Sequence, residues 1–288
     1  MTIDQICTVR RKVRLSDYTS VKIGGEADVV AYPEWKEFYP TLKFLADTST
    51  PHVVLGRGSN TLISDEGYRG IVVATGKLDG VEVVGDRIRC QCGASLINVA
   101  RIAKLHSLTG MEWAIGIPAS IGGALVTNAG AWGGCIGDVV ESATVFSDTE
   151  RRVGKDELGF SYRSSKIASL GTVGEVVVRL KKGNPYDVER LQREYVKKRL
   201  DTQPKGYSLG SVFKAHNGVS AGYYIDEAGL KGMRIGGAEV SQVHAGFILN
   251  VGGATARDYY ELIRYVEKTV WEKFGITLER EIKLLGSI

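Results

Sequence analysis

Proline is scarce in this 288-residue chain, at 6 residues, and cysteine is scarcer, at 4. The cysteines, Cys7, Cys90, Cys92 and Cys135, form no C-x-x-C pair and no disulfide-framework spacing. That excludes a disulfide-stapled scaffold and reads as buried thiols in a reducing compartment. Charge of one sign is nowhere concentrated. Lys+Arg number 37 and Asp+Glu 33, leaving +4, and the longest basic clusters, residues 10–14 and 197–199, are too short to argue for nucleic acid. They read as solvated helix faces or loops. The N-terminus carries charge but no apolar h-region, so no secretory signal is expected. His52, His106, His216 and His244 have no metal-ligand spacing, and no metal site is expected. Residues 113–137 carry no charged side chain, but their seven glycines and Pro118 would make a poor membrane helix. They read as a buried, glycine-rich loop. The expectation is a soluble, cytoplasmic protein with neither membrane nor nucleic acid as a partner, and a monomer by default.

What the chain has in abundance is glycine. Its 36 glycines are about one residue in eight, against roughly 7% in average usage. No Gly-X-Y period accompanies them, so collagen is excluded, while 43% hydrophobic and 24% charged residues exclude disorder and coiled coil. Glycine without proline points to backbone positions that need positive φ or close approach to a bound group. The length suits two domains, at roughly 100–200 residues each.

Short β-rich runs separated by glycine predict strands at residues 27–32, 52–55, 71–74, 81–84 and 87–92, then at 139–147 and 172–181. A helix is predicted within residues 34–46, disturbed at Pro40. Another spans 95–106, where Leu96, Val99, Ala100 and Ala103 recur at helical spacing. At Asn184-Pro185 the texture changes. Asn184 suits an N-cap and Pro185 the first helical position, opening a charged helix to about residue 200 that Thr202-Gln203-Pro204-Lys205-Gly206 breaks. A domain boundary is placed there, giving domains 1–183 and 184–288. The second alternates strands near 211–215, 247–251 and 279–285 with a helix over 256–274. That helix opens on Thr255 and Asp258 as a capping box and closes on Gly275. The class is α+β, in two lobes.

Two glycine motifs stand out. Gly56-Arg57-Gly58-Ser59-Asn60 follows an apolar strand and could present successive N–H groups as a nest for phosphate oxygens. It is not the dinucleotide fingerprint, and a plain surface turn fits it equally. The longer motif is Gly116-Ile117-Pro118-Ala119-Ser120-Ile121-Gly122-Gly123-Ala124, continuing to Asn128-Ala129-Gly130-Ala131-Trp132-Gly133-Gly134. Two glycine pairs free of charge describe backbone packed against something large and flat, with Ser120, Thr127 and Asn128 as polar contacts. A tightly turned core between the lobes is the alternative.

These two motifs, with Phe160-Ser161-Tyr162-Arg163-Ser164-Ser165, resemble the UDP-N-acetylenolpyruvoylglucosamine reductase family, flavoenzymes of bacterial cell-wall synthesis. The likeness continues through Gly210-Ser211-Val212-Phe213-Lys214, Ala228-Gly229-Leu230-Lys231-Gly232, Val240-Ser241-Gln242-Val243-His244 and Leu278-Glu279-Arg280-Glu281-Ile282, and so covers nearly the whole chain. The resemblance implies an FAD-binding domain of the vanillyl-alcohol-oxidase (PCMH) type followed by a smaller α+β substrate-binding domain. It implies FAD held without a covalent bond and NADPH as hydride donor. Gly56, Arg57, Gly58, Ser59 and Asn60 would hold the pyrophosphate, and Pro118, Ser120, Gly122, Gly123, Asn128 and Gly130 would run along the flavin.

The implied reaction adds hydride to the terminal carbon of an enolpyruvyl UDP-sugar, then a proton to the carbon beside the carboxylate. Arg163 matches the family's carboxylate-facing arginine, a role its planar, permanently charged fork suits. Ser211 matches the family's proton donor, and a hydroxyl suffices toward a strongly basic carbanion. Glu281 matches the catalytic glutamate. Period-2 alternation places it with Glu279 and Lys283 on one strand face, opposite Ile282 and Leu284. Substrate contacts are implied for Tyr162, Lys214, His244 and Lys283. Without the resemblance, Arg163 and Ser211 would pass for turn residues and Glu281 for an exposed strand residue.

Three departures stand out. Ala215-His216 replace the Asn-Pro that usually follows Phe-Lys, and Lys283 stands where arginine is common. The short spacing from Arg163 to Ser211 leaves no room for a tyrosine-bearing loop, as in the shorter subtype. An FAD-dependent oxidase of related fold and a non-catalytic flavin- or nucleotide-sugar-binding paralogue are the alternatives.

Overall fold

Runs of buried β-branched residues build the first core. Val176 and Val178 pair across a sheet with Cys90 and Ile88, and all four are fully buried. The computed structural model describes residues 2–288. In it this sheet has five strands in the order Glu150–Gly154, Val140–Phe146, Thr172–Arg179, Arg87–Gln91, Val81–Val84, each antiparallel to its neighbours. The helix Leu96–Leu105 buries Leu96, Val99, Ala100 and Ala103, the stripe expected from their spacing. The helix Trp35–Asp47 runs through Pro40 without a break. Pro40 is exposed there, and its missing N–H removes a single hydrogen bond. Strand His52–Leu55 lies parallel to Tyr68–Ala74, with Leu55 opposite Ala74.

Two compact units result, and neither is one stretch of chain. The first takes the N-terminal segment through Arg10, Val29–Arg57 and Ile71–Arg199; the second takes Arg11–Asp28, Gly58–Gly70 and Leu200–Ile288. A cut at 183/184 therefore does not describe them. Most of helix Pro185–Thr202 belongs to the first unit, where Gln192 Nε2 donates to the Ala100 carbonyl at 2.9 Å. Val21, Ile23 and Leu62, all from early segments, join the second unit's core with Leu209, Ile248 and Tyr259.

In the second unit, antiparallel strands run in the order Tyr207–Ser211, Phe247–Asn250, Ala238–Val240, Arg234–Ile235. Helix Ala256–Phe274 has the bounds its sequence predicts and fully buries Tyr259, Leu262, Ile263, Val266 and Val270. Thr255 Oγ1 accepts from the Asp258 N–H at 3.0 Å, and Asp258 Oδ2 accepts from the Thr255 N–H at 3.0 Å. Those bonds hold the Asp258 carboxyl below the usual carboxylate range. Asp65 adds a second cap, its oxygens accepting from Ala256 at 2.7 Å and Arg257 at 3.1 Å.

Three expectations are corrected. The uncharged stretch is not all loop: Ser120 caps a helix, Ile121–Thr127, accepting from the Gly123 N–H at 3.2 Å. The strand expected at 211–215 ends at Ser211 instead, because Gly210 at φ +77° and a register shift between Ser208 and Ser211 turn the chain away from its neighbour. The strand expected over 279–285 is reduced to Lys283–Leu285, parallel to Thr61–Ile63, and Leu284 is exposed. No helix among the described residues is long and apolar enough to cross a membrane.

Candidate active site

In the first unit the two glycine motifs meet. A Cβ on Gly56 would lie 2.3 Å from Ser120 Oγ, so only glycine lets the turn after His52–Leu55 approach the cap of Ile121–Thr127. Gly122 also packs closely, where a Cβ would stand 2.9 Å from the Cys92 carbonyl oxygen. Gly130 pairs with Cys135 across a short hairpin, whereas Arg57, Pro118 and Gly123 are exposed along the two motifs.

The Phe160–Ser165 stretch makes a two-residue turn in the same unit. Ser161 and Ser164 exchange backbone hydrogen bonds of 3.0 and 3.2 Å, leaving Tyr162 and Arg163 at the tip. Arg163 has φ +53°, a left-handed conformation that costs a non-glycine residue roughly 1–3 kcal/mol. Its guanidinium lies 5.4 Å from the centre of the exposed Tyr162 ring. Asn128 Nδ2 donates to the Ser161 carbonyl at 2.8 Å, and Ser165 Oγ donates to the Val126 carbonyl at 3.0 Å. The turn is thereby fastened to the end of helix Ile121–Thr127.

The second unit brings Ser211, Lys214, Glu281 and Lys283 together through the backbone. The Glu281 N–H donates to the Val212 carbonyl and the Lys214 N–H to the Glu279 carbonyl, both at 2.8 Å, while Phe213 bridges Arg280. Ser211 and Glu281 thus stand on neighbouring segments. Lys214 Nζ pairs with the Glu279 carboxylate at 2.5 Å, and Arg280 forms a two-pronged pair with Glu267. Gly58, at φ +57°, lies where a Cβ would fall 2.0 Å from the Tyr18 carbonyl oxygen; Ser59 is half-buried beside it. Asn60 donates its side-chain N–H to the Glu281 carbonyl at 3.1 Å and accepts from the Lys283 N–H at 2.9 Å.

His244 is wedged between two glycines, Gly222 and Gly246, whose Cβ atoms would each stand 2.9 Å from its Cε1. Its Nδ1 faces the Gly246 N–H at 3.0 Å, which leaves that nitrogen as the acceptor and the ring proton on Nε2. Burial lowers its pKa and favours this neutral form. The Gly246 carbonyl accepts from the Val212 N–H at 2.9 Å, linking the His244 loop to the segment after Ser211.

Two features escaped the sequence reading. Residues 18–20 pack on Gly58, and the Gly24-Gly25 pair packs on Ile63 and Asp65. The basic cluster 197–199 is not simply a solvated face: Lys198 Nζ sits 4.4 Å from the Trp132 ring centre, and Arg199 Nε donates to the Ile115 carbonyl at 3.0 Å. Trp132, with Tyr195 stacked 6.2 Å away, has φ +55° and a buried Nε1 with no hydrogen-bond partner. No group of His, Cys, Asp and Glu among the described residues could hold a metal ion.

The UDP-N-acetylenolpyruvoylglucosamine reductase 2 of Bacillus cereus is 44% identical, over 96% of this chain and 93% of that relative. This chain belongs to the UDP-N-acetylenolpyruvoylglucosamine reductase family. The reductase of Oceanobacillus iheyensis is also 44% identical, over 94% of this chain and 90% of its own. The crystal structure of the Thermus caldophilus reductase superposes with a TM-score of 0.85 at 36% identity, covering 97% of this chain and all of the other. An FAD binding domain model matches residues 27–153, and a model of the reductase C-terminal domain matches 203–285. The fold is an FAD-binding domain of the PCMH type followed by the C-terminal domain of the reductase family. One observation here fits FAD: Trp132 Nε1, in the glycine run, is a buried donor with no hydrogen-bond partner among the described residues.

Proposed function

We propose that this protein reduces the enolpyruvyl group of UDP-N-acetylglucosamine-enolpyruvate to UDP-N-acetylmuramate, with NADPH as reductant, in cytoplasmic peptidoglycan precursor synthesis. The observation that carries this reading is the 44% identity to a named reductase across nearly the full length of both chains. The shared segment geometry of Ser211 and Glu281 supports it.

FAD, when bound, carries hydride from NADPH to the terminal enolpyruvyl carbon. Residues 56–60 would hold its pyrophosphate, and Pro118, Ser120, Gly122, Gly123 and Gly130 would lie along its ring system. Arg163 binds the substrate carboxylate through its planar fork and stabilises the charge that develops beside it. Ser211 Oγ gives the proton to the carbon next to that carboxylate, completing addition of one hydride and one proton across the double bond. Glu281, on the segment beside Ser211, is the glutamate assigned to the same step. Tyr162, Lys214, His244 and Lys283 contact the remainder of the substrate, with neutral His244 offering Nε2–H as a donor.

Ser211→Ala tests the assignment. NADPH should still bleach the flavin bands at the wild-type rate, while return of the bands on adding enolpyruvyl UDP-sugar should slow by roughly two to four orders of magnitude. Stopped-flow absorbance measures both halves. Wild-type rates in both would remove Ser211 from the mechanism, and turnover only with oxygen and an alcohol would favour an oxidase.

A further inference from the structure

Arg163 occupies a conformation that L residues disfavour, at the tip of a two-residue turn, so something outside the turn must hold it there. The structure contains such a clasp. The Ser161 carbonyl at the turn's entrance accepts two donors, the Ser164 N–H at 3.2 Å from within the turn and Asn128 Nδ2 at 2.8 Å from outside. At the turn's exit, Ser165 Oγ donates to the Val126 carbonyl at 3.0 Å. Both bonds run to the last turn and C-cap of the glycine-rich helix Ile121–Thr127.

Asn128 is itself held tightly. It is 8% exposed, sits in the left-handed region at φ +46°, and accepts the Gly137 N–H on Oδ1 at 3.0 Å. Gly137 is required at that contact, since a Cβ there would stand 2.9 Å from Oδ1. The amide is thus oriented by one backbone group and delivers its N–H to another. This fixes which end is nitrogen, because the Ser161 carbonyl can only accept and the Gly137 N–H can only donate.

We propose that Asn128 is a positioning residue for Arg163, and that its amide, rather than contacting the cofactor, sets the turn that aims the arginine at the substrate carboxylate. The inference rests on the reductase reading given above. A displacement of about 1 Å in a carboxylate clamp can cost up to a hundredfold in rate, so loss of the clasp should be visible in the step that uses Arg163.

Three variants separate the possibilities. Asn128→Gly keeps the left-handed backbone and deletes both side-chain bonds. Asn128→Asp keeps the acceptor for the Gly137 N–H and sets an oxygen against the Ser161 carbonyl. Ser165→Ala removes the second bond alone. Each purified holoenzyme is reduced with dithionite without oxygen and mixed with enolpyruvyl UDP-sugar, and its reduction by NADPH is measured separately. Both Asn128 variants should retain flavin and wild-type reduction by NADPH, yet reoxidise with the sugar roughly ten- to a hundredfold more slowly. Ser165→Ala should show a smaller loss in the same step. In an Arg163→Ala background, Asn128→Gly should change that step by less than about twofold, because the residue it acts through is gone.

Wild-type reoxidation in the Asn128 variants overturns the proposal, as does full additivity with Arg163→Ala. Loss of flavin or of NADPH reduction overturns it too, by making Asn128 a cofactor contact. If the Asn128 variants do not fold, Ser165→Ala and its cycle with Arg163→Ala decide the question, and wild-type reoxidation or additivity there overturns it. Failure of the wild-type protein to reoxidise with the enolpyruvyl sugar would instead remove the reductase reading on which the proposal stands.

Discussion

Gly56 has no Cβ because Ser120 Oγ occupies the place where one would go. A methyl at 56 would displace the Ser120 hydroxyl from its cap on the Gly123 N–H, and removing that hydroxyl would relieve the clash. The distance from a Gly56 Cβ to Ser120 Cβ is 3.4 Å, an ordinary contact. Gly56→Ala should therefore lower flavin content and thermal stability, and adding Ser120→Ala should recover part of both. The recovery is partial because Ser120→Ala also removes a helix cap worth about 0.5–2 kcal/mol. Flavin-to-protein absorbance ratio and melting temperature measure the effect; strict additivity of the two substitutions would show that they do not meet. Arg163, by contrast, is a residue whose side chain was legible in the sequence while its left-handed backbone was not, since nothing local to Tyr162-Arg163 demands positive φ.

Among the elements, helix Ala256–Phe274 is the one its sequence predicts to the residue. Cap, apolar stripe and terminating glycine are all local signals, spaced within a few residues of one another. Thr255→Ala removes the bond to the Asp258 N–H and should destabilise the protein by about 1 kcal/mol in urea unfolding. Asp65, 191 positions away from Ala256, caps the same helix and leaves no local trace. The strands near Ser211 and Glu281 illustrate the opposite case. Their apolar alternation predicts extended chain, but where each strand stops depends on which neighbour it pairs with, and Phe213 leaves one partner for Arg280. Intrinsic propensity argues against Gly122 and Gly123 in a helix, so the sequence of this seven-residue helix predicts loop. The Ser120 cap and the packing of Gly122 on Cys92 override it.

For the whole molecule, the buried thiols set an alkaline limit. Burial pushes both Cys90 and Cys92 up to about 12, from 9.0 for an exposed thiol. Between those values the unfolded chain has released protons that the folded chain retains, so stability is fully present below pH 9 and declines as pH rises toward 12. Urea midpoints at pH 8 and pH 10, the latter about one unit above the exposed-thiol value, should show that decline, and alanine at both positions should flatten it. A slope unchanged in the double variant would assign it to other groups.

The sequence by itself determined the α+β class, most strands and helices, the family, and the residue types that carry the proposed chemistry. These rest on signals that are local, or on motifs whose order along the chain identifies them. Only the tertiary structure decided that the second unit is assembled from three separate stretches, that Gly56 abuts Ser120, and that Asn60 and Asn128 reach the segments carrying Glu281 and Arg163. The reason is physical: periodicity reports which side of an element is apolar, whereas a single hydrogen bond or a missing Cβ reports its partner only after distant segments have packed.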